Sequence, residues 1–170
     1  MLRQRHRPVH SSTSKSLRAA CADSLLGFTL LELMLALAVM SVLAMLASSA
    51  YSSYMEKARV TQAQTDLTAI EARLALYAAT KNELPTSLAQ VGESTLLDPW
   101  GHPYRYLDFT GVQGKGAMRK DRNLVPINSD YDLYSTGQDG ATTPPLTAPV
   151  SQDDVIRANN GGFVGLATDY

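Results

Sequence analysis

The sequence predicts an α+β chain in which one long N-terminal helix, apolar in its first half and amphipathic in its second, packs on a small antiparallel sheet. Three observations carry this. From Leu30 to Ala50 every residue but Glu32 is apolar or small, a run long enough to cross a bilayer core at about 1.5 Å per residue. Val60, Ala63, Leu67, Ile70, Leu74 and Tyr77 then recur at alternating spacings of three and four, which puts them on one helical face. Tyr104–Phe109 and Tyr131–Tyr134 are short runs with the alternating or aromatic character of strands.

The 170 residues suit a single domain, and the apolar span takes up part of that length. The net charge of −1 hides an asymmetry. Residues 1–27 carry Arg3, Arg5, Arg7, Lys15 and Arg18 against Asp23 alone, so the rest of the chain is acidic. Basic residues ahead of an apolar span hold that end in the cytoplasm, and the acidic remainder is exported. Such a remainder offers no broad basic patch for nucleic acid. Residues 1–24, with few apolar side chains, read as a disordered leader, and His6 and His10 have no acidic partner near them in it. Cys21 is the only cysteine, so no intramolecular disulfide can form.

A secretory signal places its small-residue cleavage site after the apolar stretch. Here Gly27 precedes it, so the helix would stay on the product. Glu32 is the oddity, because a lone carboxylate at membrane depth costs roughly 2.5–3.5 kcal/mol unless paired. An uncleaved signal anchor with one tolerated acid has the same composition. No proline or glycine occurs between Phe28 and Lys81, so the span and the amphipathic stretch read as one helix, about 80 Å long at 1.5 Å per residue. Glu56, Arg59, Gln62, Asp66 and Arg73 lie off its apolar stripe. The serines of Ser48–Ser53 can weaken a helix by bonding back to its carbonyls.

Gly27-Phe28-Thr29-Leu30-Leu31-Glu32 ahead of an apolar helix resembles the processing site of type IV pilins and the related pseudopilins. The resemblance implies cleavage after Gly27 by a prepilin peptidase and N-methylation of Phe28. It also implies that Glu32 neutralises the Phe28 amine of a neighbouring subunit as helices stack into a filament. Two buried charges that are costly singly become tolerable when matched. The absence of cysteine from the mature chain favours the pseudopilins, where a metal can take the place of a disulfide.

Asn82 and Pro85 end the helix, and Pro85-Thr86-Ser87 opens a short helical turn to about Val91. Asp98-Pro99-Trp100-Gly101 is a turn by composition. Trp100, the sole tryptophan, is expected to plug the gap between helix and sheet, and His102 reads as a turn residue, not a ligand. Asp-Pro-Trp-Gly followed by Pro103-Tyr104-Arg105-Tyr106 resembles the segment joining helix to sheet in the major pseudopilins (protein G) of type II secretion systems. Between the two strand candidates, residues 111–127 hold a basic cluster, Lys115, Arg119, Lys120 and Arg122, which reads as a solvated loop or a hairpin extension, with partner docking as the alternative.

From Thr136 the chain reads Thr-Gly-Gln-Asp-Gly, then a loop with Pro144, Pro145 and Pro149, then Ser151-Gln152-Asp153-Asp154. Calcium takes six to eight oxygens, mixing carboxylates with backbone carbonyls on a flexible loop. Asp139, Asp153 and Asp154 can supply carboxylates from both ends of this loop. It is not an EF-hand, since the regular ladder and terminal glutamate are missing, and aspartates in surface turns account for the same residues. The resemblance implies a Ca2+ site, with Asp139 and Asp153 as the main carboxylates. Thr136 and Ser151 would offer backbone oxygens, and Asp154 would be a further member. The chain departs from that family in its three loop prolines and in its ending, Val155–Asn160 followed by a tail, Gly161–Tyr170.

No nucleophile–base pairing, phosphate loop or cluster of histidines and carboxylates points to catalysis. The expectation is a non-enzymatic subunit with a pilin-like fold and a C-terminal metal-binding loop. Residues 1–27 would be a removed leader and 28–53 the transmembrane and filament-core helix. Residues 54–170 would be a periplasmic domain, with the amphipathic helix at 54–80 and the sheet and loops at 81–170. The implied function is that of a major pseudopilin, anchored by a single pass in the inner membrane and polymerising into a periplasmic pseudopilus that drives export of folded proteins. Its partners would be further copies of itself, the prepilin peptidase, minor pseudopilins and an inner-membrane assembly platform. A type IV pilin-like subunit for adhesion, motility or DNA uptake is the alternative within the family. A single-pass anchored binding module that never polymerises is the alternative outside it, and Glu32 argues against that.

Overall fold

The computed structural model describes residues 27–170. Apart from Gly27, the expected leader with His6, His10 and Cys21 lies outside the described residues. One helix, α1, runs from Leu30 to Lys81. Thr29 caps its start, its Oγ1 accepting the Glu32 backbone N–H at 3.2 Å, which satisfies one of the first-turn donors that have no helical partner. At the other end Asn82 adopts a left-handed conformation, φ 57°, and returns its N–H to the Ala78 carbonyl at 2.8 Å. Asparagine tolerates that conformation better than most residues.

The chain divides into two compact units, one ending at Leu43 and the other spanning Ala44–Tyr170. In the first, the apolar side chains of α1 are exposed, from Leu30 at 77% to Leu43 at 60%. The helix is long and apolar enough to cross a membrane. In the second, the predicted stripe is the core: Ala63, Leu67, Ile70 and Leu74 are buried, with Val60 and Tyr77 half-buried at its ends.

Past α1, residues Leu88–Val91 make a single 3-10 turn closed by Gly92. The Asp98–Gly101 turn forms as the sequence requires. Asp98 Oδ1 accepts the backbone N–H groups of Trp100 and His102 at 3.1 and 2.7 Å, while its Oδ2 accepts the Ser135 hydroxyl. The Trp100 indole N–H donates to the Glu56 carboxylate on α1 at 3.2 Å. Trp100 thus joins helix to sheet, packed at the edge of the core.

The sheet is a four-stranded antiparallel meander in the order β1 (Arg105–Asp108), β2 (Tyr131–Ser135), β3 (Val155–Ala158) and β4 (Phe163–Leu166). β1 and β2 fall within a residue or so of the expected strands. β3 and β4 arise in the stretch expected to be an ending and a tail. Side chains alternate across a strand, so Tyr131, Leu133 and Val155 join the α1 stripe in one core cluster. Ile156 and Ala158 face the other way, into a second cluster with Ile127, Leu146 and Ala167. Arg157, in the middle of β3, is only 4% exposed. It is neutralised by Glu71 of α1 at 2.8 Å and by a two-pronged contact with Asp130 at 2.9 Å. That pairing is what lets a run containing arginine form an inner strand.

The loop 111–127 differs from the solvated cluster expected there. Arg122 is exposed and Lys120 half-buried, but Arg119 is 2% exposed. The reason is local stitching. Arg119 gives its carbonyl to the Ile127 N–H at 3.0 Å, and Lys120 exchanges backbone bonds with Pro144 and Leu146 at 3.0 and 2.9 Å. These bonds draw residue 119 beneath the proline-containing loop.

Candidate functional site

Two regions carry the residues singled out by the sequence. At the start of α1, Gly27 and Phe28 precede the capping Thr29, and Phe28 is 83% exposed. Glu32 lies in the first helical turn, where the positive end of the helix dipole favours a carboxylate.

The second region is the loop between β2 and β3. Gly137 turns with φ 63°, and a Cβ there would stand 2.3 Å from the Asp153 carbonyl oxygen and 2.6 Å from its Oδ2. No side chain fits in that gap, so Gly137 lets the two ends of the loop meet. The Asp139 N–H donates to Asp153 Oδ2 at 3.0 Å, and Asp139 Oδ1 accepts the Ala141 N–H at 2.8 Å. The next glycine, Gly140, lies against the His102 ring. His102 Nδ1 is 3.1 Å from the Gly137 carbonyl, and since a carbonyl only accepts, that nitrogen carries the proton. Thr136 and Ser151 are buried. The Ser151 hydroxyl accepts the Thr143 N–H and donates to the Thr143 carbonyl, both at 2.9 Å, leaving its backbone carbonyl as the oxygen for any other role.

Asp154 is fully buried and turns to a different partner. Its Oδ2 accepts from the Arg119 guanidinium and from the Thr142 hydroxyl at 2.7 Å. Its Oδ1 is buried without a partner. Arg119 also donates to Thr142 Oγ1 at 2.5 Å and to the Thr143 carbonyl at 2.7 Å, with its guanidinium 4.4 Å from the centre of the Tyr134 ring. Burial pushes the Asp154 carboxyl up to about 6, against the pull of Arg119 and Thr142 in the other direction. Burial likewise raises Asp132, which accepts the Arg119 backbone N–H at 2.6 Å.

The loop therefore brings the Asp139 backbone against the Asp153 carboxylate at the Gly137 turn. Among the described residues no group of three or more His, Cys, Asp or Glu side chains is placed to hold a metal ion. An ion here would rely on backbone carbonyls and water beside two carboxylates. Such a hard, all-oxygen set suits calcium, and the gap that a Cβ at Gly137 would fill brings the Asp153 carbonyl and Oδ2 to the turn. Sequence reasoning missed Arg119 and Thr142. Their partners lie 35 and 12 positions away, too far apart for any spacing rule to connect them.

Three relatives carry the name type II secretion system core protein G. The chain is 30% identical to the Pseudomonas aeruginosa protein over 135 residues, covering 67% of this chain and 84% of that one. It is 30% identical to the Klebsiella pneumoniae protein over 133 residues, covering 76% and 91%. The Aeromonas hydrophila protein is similar at the same level, 30% over 135 residues, with 67% and 83% covered. No family model matches the chain, and no solved structure matches it.

Proposed function

The chain belongs to the family of type II secretion system core protein G, the major pseudopilins, and from that membership we propose how its parts act. The chain waits in the inner membrane with α1 as a single pass, its N-terminus cytoplasmic and the acidic domain in the periplasm. A prepilin peptidase cuts after Gly27, and the new terminus at Phe28 is methylated. Copies then leave the bilayer and polymerise into a periplasmic pseudopilus that drives export of folded proteins, working with minor pseudopilins and an inner-membrane assembly platform. The role is structural, with no chemistry of its own.

The observation that carries this reading is the start of α1. Its apolar side chains are exposed along the whole first unit, and one carboxylate, Glu32, lies in the first turn. A lone anchor gains nothing from that acid. In a filament it would meet the Phe28 amine of the next copy, and each charge would remove the other's cost. The test is Glu32→Leu in cells that secrete through the system. The variant should insert in the membrane and be processed, yet yield no sheared filaments and no exported cargo. Normal filaments from it would overturn the assembly role.

We also propose that the β2–β3 loop binds Ca2+. Asp139 and Asp153 would hold the ion with backbone oxygens of Thr136 and Ser151, while Asp154, the further acid of this loop, is paired with Arg119. The ion would supply positive charge between the two outer carboxylates. What supports the reading is the closure at Gly137, which sets Asp139 against Asp153.

A further inference from the structure

Asp154 is the one acid of the loop that is entirely buried, and a buried carboxylate needs a cation. It has one. Arg119 reaches it from the loop 111–127, is itself 2% exposed, and is fixed on every side. One of its nitrogens bonds Thr142 and the Thr143 carbonyl, another bonds Asp154 Oδ2, and its plane lies over Tyr134. Its backbone is held as firmly, with the N–H on Asp132 and the carbonyl on Ile127. Apart from Ile127, each contact beyond Asp154 ties residue 119 to β2 or to the loop that ends at Asp154. The pair is incomplete in one respect. Asp154 Oδ1 and Arg119 Nε are both buried without a partner, so the carboxylate keeps an oxygen that a compact cation could also use.

We propose that Arg119 is a tethered cation that closes the β2–β3 loop from within, so that the loop is held shut without a metal and Asp154 is withheld from one. A guanidinium and a divalent ion compete for the same carboxylate, because each neutralises it and because like charges so close repel. The arginine is covalently attached and needs no free ion, so it faces the carboxylate at a high effective concentration that a free ion must overcome. Any ion this protein takes is then confined to the outer carboxylates, Asp139 and Asp153. The unexpected consequence is that removing Arg119 should strengthen calcium binding. The ion would gain a full carboxylate and lose a repelling neighbour. This inference does not depend on the pseudopilin role.

The test is Arg119→Gln on the whole processed chain in detergent, with calcium binding read by titration calorimetry and unfolding by the fluorescence of Trp100. In chelator the variant should unfold at a lower temperature than wild type. With calcium it should recover most of that loss, and its affinity should exceed that of wild type by about tenfold or more, since ligand charge tunes calcium affinity over decades. The double variant Arg119→Gln/Asp154→Asn should be more stable in chelator than the single and should lose the gained affinity. If the single variant does not fold in chelator, its folding on addition of calcium is the positive result. Calcium affinity no tighter than wild type, or stability in chelator equal to wild type, would overturn the proposal. So would a single variant that neither condition folds while the double variant folds in both. A wild type that binds no calcium while Arg119→Gln binds it would remove only the outer site and leave this inference standing.

Discussion

Arg157→Met is the perturbation whose cost can be worked most directly from contacts. Arg157 is 4% exposed and ties three elements: Glu71 on α1 at 2.8 Å, Asp130 before β2 at 2.9 Å, and the Tyr131 ring at 4.1 Å. Methionine keeps much of the stem's volume, so the loss is electrostatic. Removing one partner of a buried pair costs about 3–5 kcal/mol when the other charge stays buried. Glu71 and Asp130 are 24% and 32% exposed at their side chains, so water can reach them, which puts the cost near ~3 kcal/mol at the lower end of that range. At about 4 °C per kcal/mol for a domain of this size, the unfolding midpoint should fall by roughly 12 °C. Thermal unfolding followed by Trp100 fluorescence reads it. The same substitution in a Glu71→Gln/Asp130→Asn background should cost about 1–2 kcal/mol less, because those partners no longer carry uncompensated charge. A drop under about 1 kcal/mol in the otherwise native chain, or strict additivity in the cycle, would refute the idea that this pair holds helix to sheet.

Three further outcomes follow from the same structure. Gly137→Ala places a Cβ 2.3 Å from the Asp153 carbonyl at a φ of 63°, so it should destabilise by ~2 kcal/mol or more through backbone strain and weaken calcium binding. Unchanged calcium binding would separate that turn from the site. Asp139→Ala and Asp153→Ala should each abolish the rise in midpoint that calcium gives, about 2.7 kcal/mol at a hundredfold excess over the dissociation constant. A rise that survives both substitutions places the ion elsewhere. Burial holds Tyr131 up at about 12 and raises Tyr104, Tyr106 and Tyr134 as well. For an acid whose folded value is raised, the folded state keeps its proton longer than the unfolded chain. Stability is therefore intact below the ordinary value of 10.0 and falls as pH climbs from there toward the folded value. Tyrosinate absorbance should show these groups ionising only with unfolding, and a single smooth titration of all tyrosines near their ordinary value in the folded protein would contradict it.

Much of this was legible in the sequence because it depends on neighbours along the chain. The spacing of Ala63, Leu67, Ile70 and Leu74 is local, and so is the absence of proline or glycine from Phe28 to Lys81. The turn at Asp98 and the stop at Asn82 are local too. What could not be read rests on pairs far apart. Val-Ile-Arg-Ala does not look like an inner strand until Glu71, 86 positions away, meets Arg157. Arg119 looks like one of several loop cations until Asp154 folds over it. In both cases an arginine is buried because a distant acid neutralises it, and hydrophobic patterning contains no sign of that. At the β2–β3 loop the composition names the acids, but only the fold separates Asp139 and Asp153, which meet at Gly137, from Asp154, which Arg119 holds.

Whether α1 begins a processed filament subunit is decided by the intact mass of the chain isolated from membranes. The expected chain begins at Phe28 and carries one added methyl group at that amine. A chain that still begins at Met1, or one cut beyond the apolar span so that α1 is lost, would contradict it.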